Sequence, residues 1–205
     1  MKNVDEYEEK YEIMDCVYVQ CIKEFSRLKL SEINELHKTR IIETFLFEWG
    51  KMQRTLGHVG IEAVYKKIKE KRFADKMEPL RNKSLKSVKL EELKSLIVDL
   101  FDKIAGILFI SESKSKKEKR KHVGSTAASK VLHLCCPDLF LMWDADIRNG
   151  YEKWEGDGKD YFQFLKDMQK LWNTLNETIE EMQRKYGKRA TRITDEYNWI
   201  EFHRE

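Results

Sequence analysis

The residues of this 205-residue chain whose types and spacing could do chemistry lie between Lys114 and Arg148. Asp144 stands alone after five apolar residues, Leu139-Phe140-Leu141-Met142-Trp143. Burial raises the pKa of such a carboxyl, whereas a helix N-terminus or a nearby cation lowers it; either makes it a candidate for acid–base or charge-stabilising work. The same Asp144 can cap a short helix starting at Ala145, and the two roles are compatible. Upstream, Gly124-Ser125-Thr126 opens a helix of small residues. Its first backbone N–H groups lack helical partners, and with the dipole and two hydroxyls they make a phosphate site. Lys114, Lys116, Lys117, Lys119, Arg120 and Lys121 come directly before it, diluted only by Glu112 and Glu118. Lys+Arg number 39 against 36 Asp+Glu, a net charge of +3, so any nucleic-acid surface comes from such local clustering. The alternative for the same run is a solvated loop.

The helix that must position these groups runs over 125–136, before Pro137. At about 100° per residue, Ala127, Val131 and Leu134 share one stripe and Ala128, Leu132 and Cys135 the next. Thr126, Ser129, Lys130 and His133 fill the opposite arc, which faces either solvent or a cleft. Two aromatic-rich segments stand ready as walls: Phe45 to Arg54, with Trp49-Gly50, and Asp195-Glu196-Tyr197-Asn198-Trp199. Either could stack an extruded base, although tryptophans in such patterns are more often core.

Helical spacing dominates the rest. Tyr7, Tyr11, Met14, Tyr18, Cys21, Phe25 and Leu28 form one stripe. Ser31 is placed to cap a helix through Ile41, Ile42, Phe45, Leu46 and Trp49, and Gly57 and Gly60 punctuate the chain before a basic helix from Tyr65 to Phe73. After a break at Pro79, Leu93, Leu96, Ile97, Leu100, Phe101, Ile104 and Leu108 form a central stripe. Residues 111–122 hold no large apolar side chain and predict a basic exposed loop or hairpin. Tyr161, Leu165, Met168, Trp172, Leu175, Ile179, Met182 and Tyr186 predict a further helix, closed by Gly187. Thr194, followed by two acids, predicts the start of a last one.

Two prolines and nine glycines favour long helices, and the length fits a single all-helical domain over 1–205. Cys16, Cys21, Cys135 and Cys136 show no zinc or CxxC spacing and are expected to be buried thiols of a reducing compartment. No metal and no cofactor is implied. The N-terminus lacks the apolar region of a signal peptide and no apolar run spans a bilayer, so the expectation is a cytoplasmic, monomeric protein without membrane contact.

The stretch Val123-Gly124-Ser125-Thr126-Ala127, with Asp144 eighteen positions after Thr126 and Arg148 beyond it, resembles the catalytic segment of the helix-hairpin-helix DNA glycosylase superfamily. There a hairpin ending in Val-Gly precedes a small-residue helix, and an Asp later closes an apolar run. The resemblance implies a compact, orthogonal, glycosylase-like all-α bundle. It implies that Asp144 stabilises the developing sugar cation or positions the nucleophile. Lys119, Arg120, Lys121, His122, Gly124, Ser125, Thr126 and Arg148 would contact DNA, with RNA as the other candidate. Lyase-competent members carry a Schiff-base lysine where this chain has Thr126; Lys130, one turn further on, is the nearby candidate nucleophile and would need a depressed pKa. Lys121-His122 replaces the first half of the usual hairpin, and the iron–sulfur cysteine signature is absent. Three readings therefore stand: a DNA N-glycosylase with or without lyase activity, a non-catalytic nucleic-acid-binding module on the same scaffold, and a helical interaction protein.

Overall fold

A computed structural model describes residues 15–112 and 118–203, and in it the apolar stripes fold into mostly helical structure around a shared core. Tyr7, Tyr11, Met14, Lys114, Lys116 and Lys117 lie outside the described residues. Helix α1 covers 15–26. Helix α2 (Glu35–His37) is capped by Asn34, whose side chain accepts from His37 N at 3.1 Å. Ser31, the expected cap, instead lies in a preceding 3-10 turn, Leu30–Glu32. The chain then widens into π-helical turns, Lys38–Glu43 and Phe45–Trp49.

Helix α3 (Gln53–Lys69) is kinked at Gly57, which takes φ 56°. Gly60, expected as punctuation, is inside α3, where an added Cβ would lie 2.9 Å from Leu56 Cβ and 3.2 Å from Phe109 Cζ. It is there to let the following strand approach. Helix α4 (Lys71–Met77) gives way at Pro79, and α5 (Leu90–Ala105) buries Ile97, Leu100, Phe101 and Ile104. The expected stripe stops short of Leu108, because the chain leaves the helix at Gly106 and enters a hairpin. Strands β1 (Leu108–Glu112) and β2 (Glu118–His122) pair antiparallel, Leu108 opposite His122 and Glu112 opposite Glu118.

Helix α6 (Gly124–Cys135) follows at once, then α7 (Ala145–Gly150), α8 (Gly158–Thr174), α9 (Asn176–Tyr186) and α10 (Ala190–Phe202). The stripe from Tyr161 to Tyr186 is not one helix; it breaks at Leu175 (φ −106°, ψ 24°), among the poor helix formers Asn173, Thr174 and Asn176. Gly187 closes α9 in the left-handed conformation, as expected. Thr194 does not open the last helix. It sits one turn inside α10, accepting from Trp172 Nε1 at 2.8 Å and donating to Ala190 O at 2.9 Å.

Helix α5 packs against both α6 and α8, and its Phe101 stacks on Tyr161, with Trp143 edge-on to both rings and tilted against Phe164. Cys21, Cys135 and Cys136 are buried as expected, and burial pushes the Cys135 thiol up to about 12; Cys16 departs from expectation and is exposed. Among the described residues, no helix is long and apolar enough to cross a membrane.

Candidate functional site

The site begins with one hydroxyl. Ser129 of α6 is fully buried; its Oγ accepts from Trp143 N at 3.2 Å and donates within reach of Trp143 O at 3.1 Å and Thr126 O at 2.9 Å. Tyr161 Oη donates to Leu141 O at 2.7 Å. With His133, which holds Phe140 O, and Cys136 O, which accepts from Leu139 N and Phe140 N, these side chains pair backbone groups of the apolar run 139–143, which makes no helix or strand and would otherwise bury unpaired polar groups. The run is thereby fixed along α6, and Asp144 emerges from it at a defined point.

Asp144 is the N-cap of α7: its Oδ1 accepts from Asp146 N and Ile147 N, both at 3.0 Å. Its Oδ2 faces His203 Nε2 at 2.9 Å. Lys130 Nζ, one helical turn beyond Thr126, donates to Gly50 O at 2.7 Å and lies 5.9 Å from the Trp49 ring centroid. Gly50 is the C-cap of the π-helical turn, its N donating five residues back to Phe45 O at 2.8 Å, and a carbonyl at a helix end has no donor within the helix. The next residue, Lys51, takes φ 53°, a left-handed conformation that side chains rarely adopt.

Trp49, Lys130, Asp144, Arg192, Asp195 and Trp199 line one cavity of about 320 Å³, floored by Met142, Trp143 and Ile147. Its size is that of a small-ligand pocket. Electrostatics inside it are uneven. Burial lowers the Lys130 ammonium from its ordinary range, opposed by the negative charge of Asp195 and Asp144. Burial likewise pushes Asp195 up to about 6, although Arg192 beside it pulls the other way. The Arg192 guanidinium is itself fully buried and meets three carboxylates: Asp15 Oδ1 at 2.6 Å, Asp195 Oδ2 at 2.7 Å and Glu196 Oε1 at 3.0 Å. Lys188 joins Asp15 and, at 2.8 Å, Glu196. Two cations thus face three acids, and burial raises Glu196 to about 7.

The polar arc of α6 turns out to face the protein, not solvent. Ser129 holds the apolar run. His133 is fully buried, its Nδ1 donating to Phe140 O at 2.6 Å and its Nε2 accepting from Tyr18 Oη at 2.7 Å. Burial holds its imidazole down at about 3. Only Lys130 of this arc reaches the cavity.

The expected DNA-contacting residues lie along the hairpin and the start of α6. Lys119, Arg120 and His122 are exposed and Lys121 half-buried. Gly124 takes φ 79°, the turn by which the chain passes from strand to helix, and no side chain caps α6. Arg148 points back at α6 instead of outward: its Nη1 donates to Ser125 Oγ at 2.6 Å, and its guanidinium packs on Gly156, where an added Cβ would come within 2.5 Å. Asp144, Asp146 and His203 bring one ligand atom each within 4.8 Å of one another, a set that could hold a metal ion. The same spacing describes one imidazole shared by two carboxylates, His203 Nε2 lying 2.9 Å from Asp144 Oδ2 and 3.3 Å from Asp146 Oδ2.

Sequence reasoning missed Arg192 altogether and took Asp195 for a first-turn helix acid. Asp195 heads the aromatic segment offered as a wall, which does line the cavity, and Arg192, three positions before it, was the available signal. No protein-family model, no curated protein and no solved structure matches this chain.

Proposed function

We propose that this chain binds DNA and cleaves the N-glycosidic bond of a damaged or mismatched base, in the manner of the glycosylases its 123–148 segment resembles. The observation that carries the reading is the meeting of Asp144 and Lys130 in one base-sized cavity walled by Trp49 and Trp199. Glycosidic cleavage needs a fixed negative charge beside a sugar carbon that turns cationic, and a dry pocket that stacks the extruded base. Asp144 supplies the charge on a backbone-anchored carboxylate, and the tryptophans supply the stacking faces. Lys130 has a desolvated amine, the property a lysine nucleophile requires. The uncapped start of α6 and the exposed Lys119 and Arg120 are available to phosphates.

The test compares wild type with Asp144→Asn on duplexes containing uracil, hypoxanthine, 8-oxoguanine, an abasic site or no lesion. Asn keeps the cap on α7, so folding and binding are expected to persist while alkali-revealed strand breaks disappear. Borohydride trapping in the same series reports whether the Lys130 amine adds to the sugar. A second reading, a non-catalytic nucleic-acid-binding module, is favoured by one specific observation: both Asp144 oxygens and the Lys130 ammonium already have protein partners. Binding to the duplexes without any strand breaks decides for it, and no binding at low salt removes both.

A further inference from the structure

The cavity holds a second carboxyl that the reading above leaves without a task. Asp195 is buried, on the wall of the same cavity as Asp144 and Lys130, and its Oδ2 accepts from Arg192 Nη1 at 2.7 Å. Its surroundings differ from those of Asp144 in kind. Asp144 stands half-exposed at a helix N-terminus and accepts two backbone N–H bonds. Asp195 accepts from no helix start; it lies in the interior of α10, where losing solvent works against its charge. Two carboxyls in one pocket with opposed environments divide naturally into a charge-stabiliser and an acid.

We propose that Asp195 is a catalytic residue, the general acid that protonates the departing base, a role resting on the glycosylase reading. The bond between C1′ and the base nitrogen breaks and its electron pair goes to the base, which takes the Asp195 proton. The sugar left behind is cationic at C1′ and faces Asp144. Water adds its oxygen to C1′ and loses one proton to solvent by way of Asp144, while Asp195 regains a proton from solvent. One water is consumed and the enzyme is restored. The groups that set Asp195's affinity for its proton are Arg192 on α10 and Lys130 on α6, which lower it, and Asp144 at the start of α7, which raises it; Lys51, after the π-turn, lines the same cavity, and Asp15 of α1 shares the Arg192 guanidinium. Burial outweighs the two cations and keeps the Asp195 proton up to about pH 6.

The experiment measures single-turnover cleavage from pH 5 to 8 with wild type, Asp195→Asn and Asp195→Glu, on the uracil, hypoxanthine and 8-oxoguanine duplexes. Wild type is expected to lose rate as pH rises through about 6. Asp195→Asn should fall by about 10²-fold or more at pH 6 and lose this limb, the range for one missing general acid. Asp195→Glu should keep a limb, which a merely structural role would not require. A wild-type rate that does not fall between pH 5 and 8, or an Asn variant that keeps wild-type rate or the limb, overturns the role of Asp195 and leaves the glycosylase reading intact. No cleavage by wild type on any duplex overturns both. The wild-type profile alone decides if the Asn variant fails to fold.

Discussion

Ser129 shows how much rests on a single small side chain. Its hydroxyl is the partner of both the N–H and, within reach, the carbonyl of Trp143, fourteen residues away in a segment with no ladder of its own. Ser129→Ala leaves those groups unpaired in a dry interior. Urea unfolding should show a loss of about 1–3 kcal/mol, the cost of stranding a buried donor. A loss under about 0.5 kcal/mol would mean that the run 139–143 is held by packing alone. Read from sequence, Ser129 was merely one member of a polar arc. Nothing in a 100° rotation says that the arc's hydroxyl and imidazole turn inward while its lysine reaches a cavity. Asp144 was more legible, since an Asp before a short helix announces its own cap by purely local chemistry.

At the scale of elements, the hairpin and α6 act as one unit. Val123 N continues the ladder to Ile107 O at 3.0 Å, and Gly124 turns the chain directly into the helix. Phe109, opposite Lys121, is buried against α3, while Leu108 and Ile110 face outward. The ribbon therefore presents Arg120 and His122 on its outer face. Replacing Lys119, Arg120 and Lys121 together by Glu should weaken duplex binding and flatten its salt dependence. With up to three phosphates released, the slope of log K against log salt is expected to fall by about 2 to 3, at roughly 0.9 per phosphate. An unchanged slope would show that these three side chains touch no phosphate. The composition of 111–122 foretold an exposed basic loop or hairpin; of its described residues Lys119, Arg120 and His122 are exposed and Lys121 half-buried, and the strand pairing that gives them a face comes with contacts to α3. The π-turn before Gly50 was invisible for a related reason: its sequence reads as an ordinary amphipathic helix, and only the frame around it widens the turn.

Across the whole molecule, the buried cluster of Asp15, Lys188, Arg192, Asp195 and Glu196 joins the first described helix to the last and borders the cavity. Its acids should make stability depend on pH. Glu196 holds its proton in the folded chain up to about pH 7, whereas its ordinary value is 4.5. A raised pKa of this kind contributes stability that is full below about pH 4.5 and is lost as pH rises through about 7. Gln cannot lose a proton, so the stability of Glu196→Gln relative to wild type is expected to increase between pH 4.5 and 7.5. Paired urea titrations at pH 5 and 7.5 measure the difference directly and cancel the opposing contribution of His133, whose pKa of about 3 removes stability as pH falls below 6.5. A difference that stays constant would show that Lys188 and Arg192 keep Glu196 ionised throughout.

The sequence by itself determined the helical class, the exposed basic segment before α6, the cap at Asp144 and the left-handed close at Gly187. Each follows from interactions within a few residues, where spacing and side-chain type suffice. Only the tertiary structure decided that Lys130, Asp144 and Asp195 share a cavity, that Trp49 and Trp199 wall it, and that Arg192 bonds Asp15 across 177 positions of chain. Those meetings depend on how helices distant in sequence cross over one core. Desolvation then depends on the crossing: an acid that reads as a helix-start charge becomes a buried carboxyl whose pKa burial raises against the pull of Arg192 beside it.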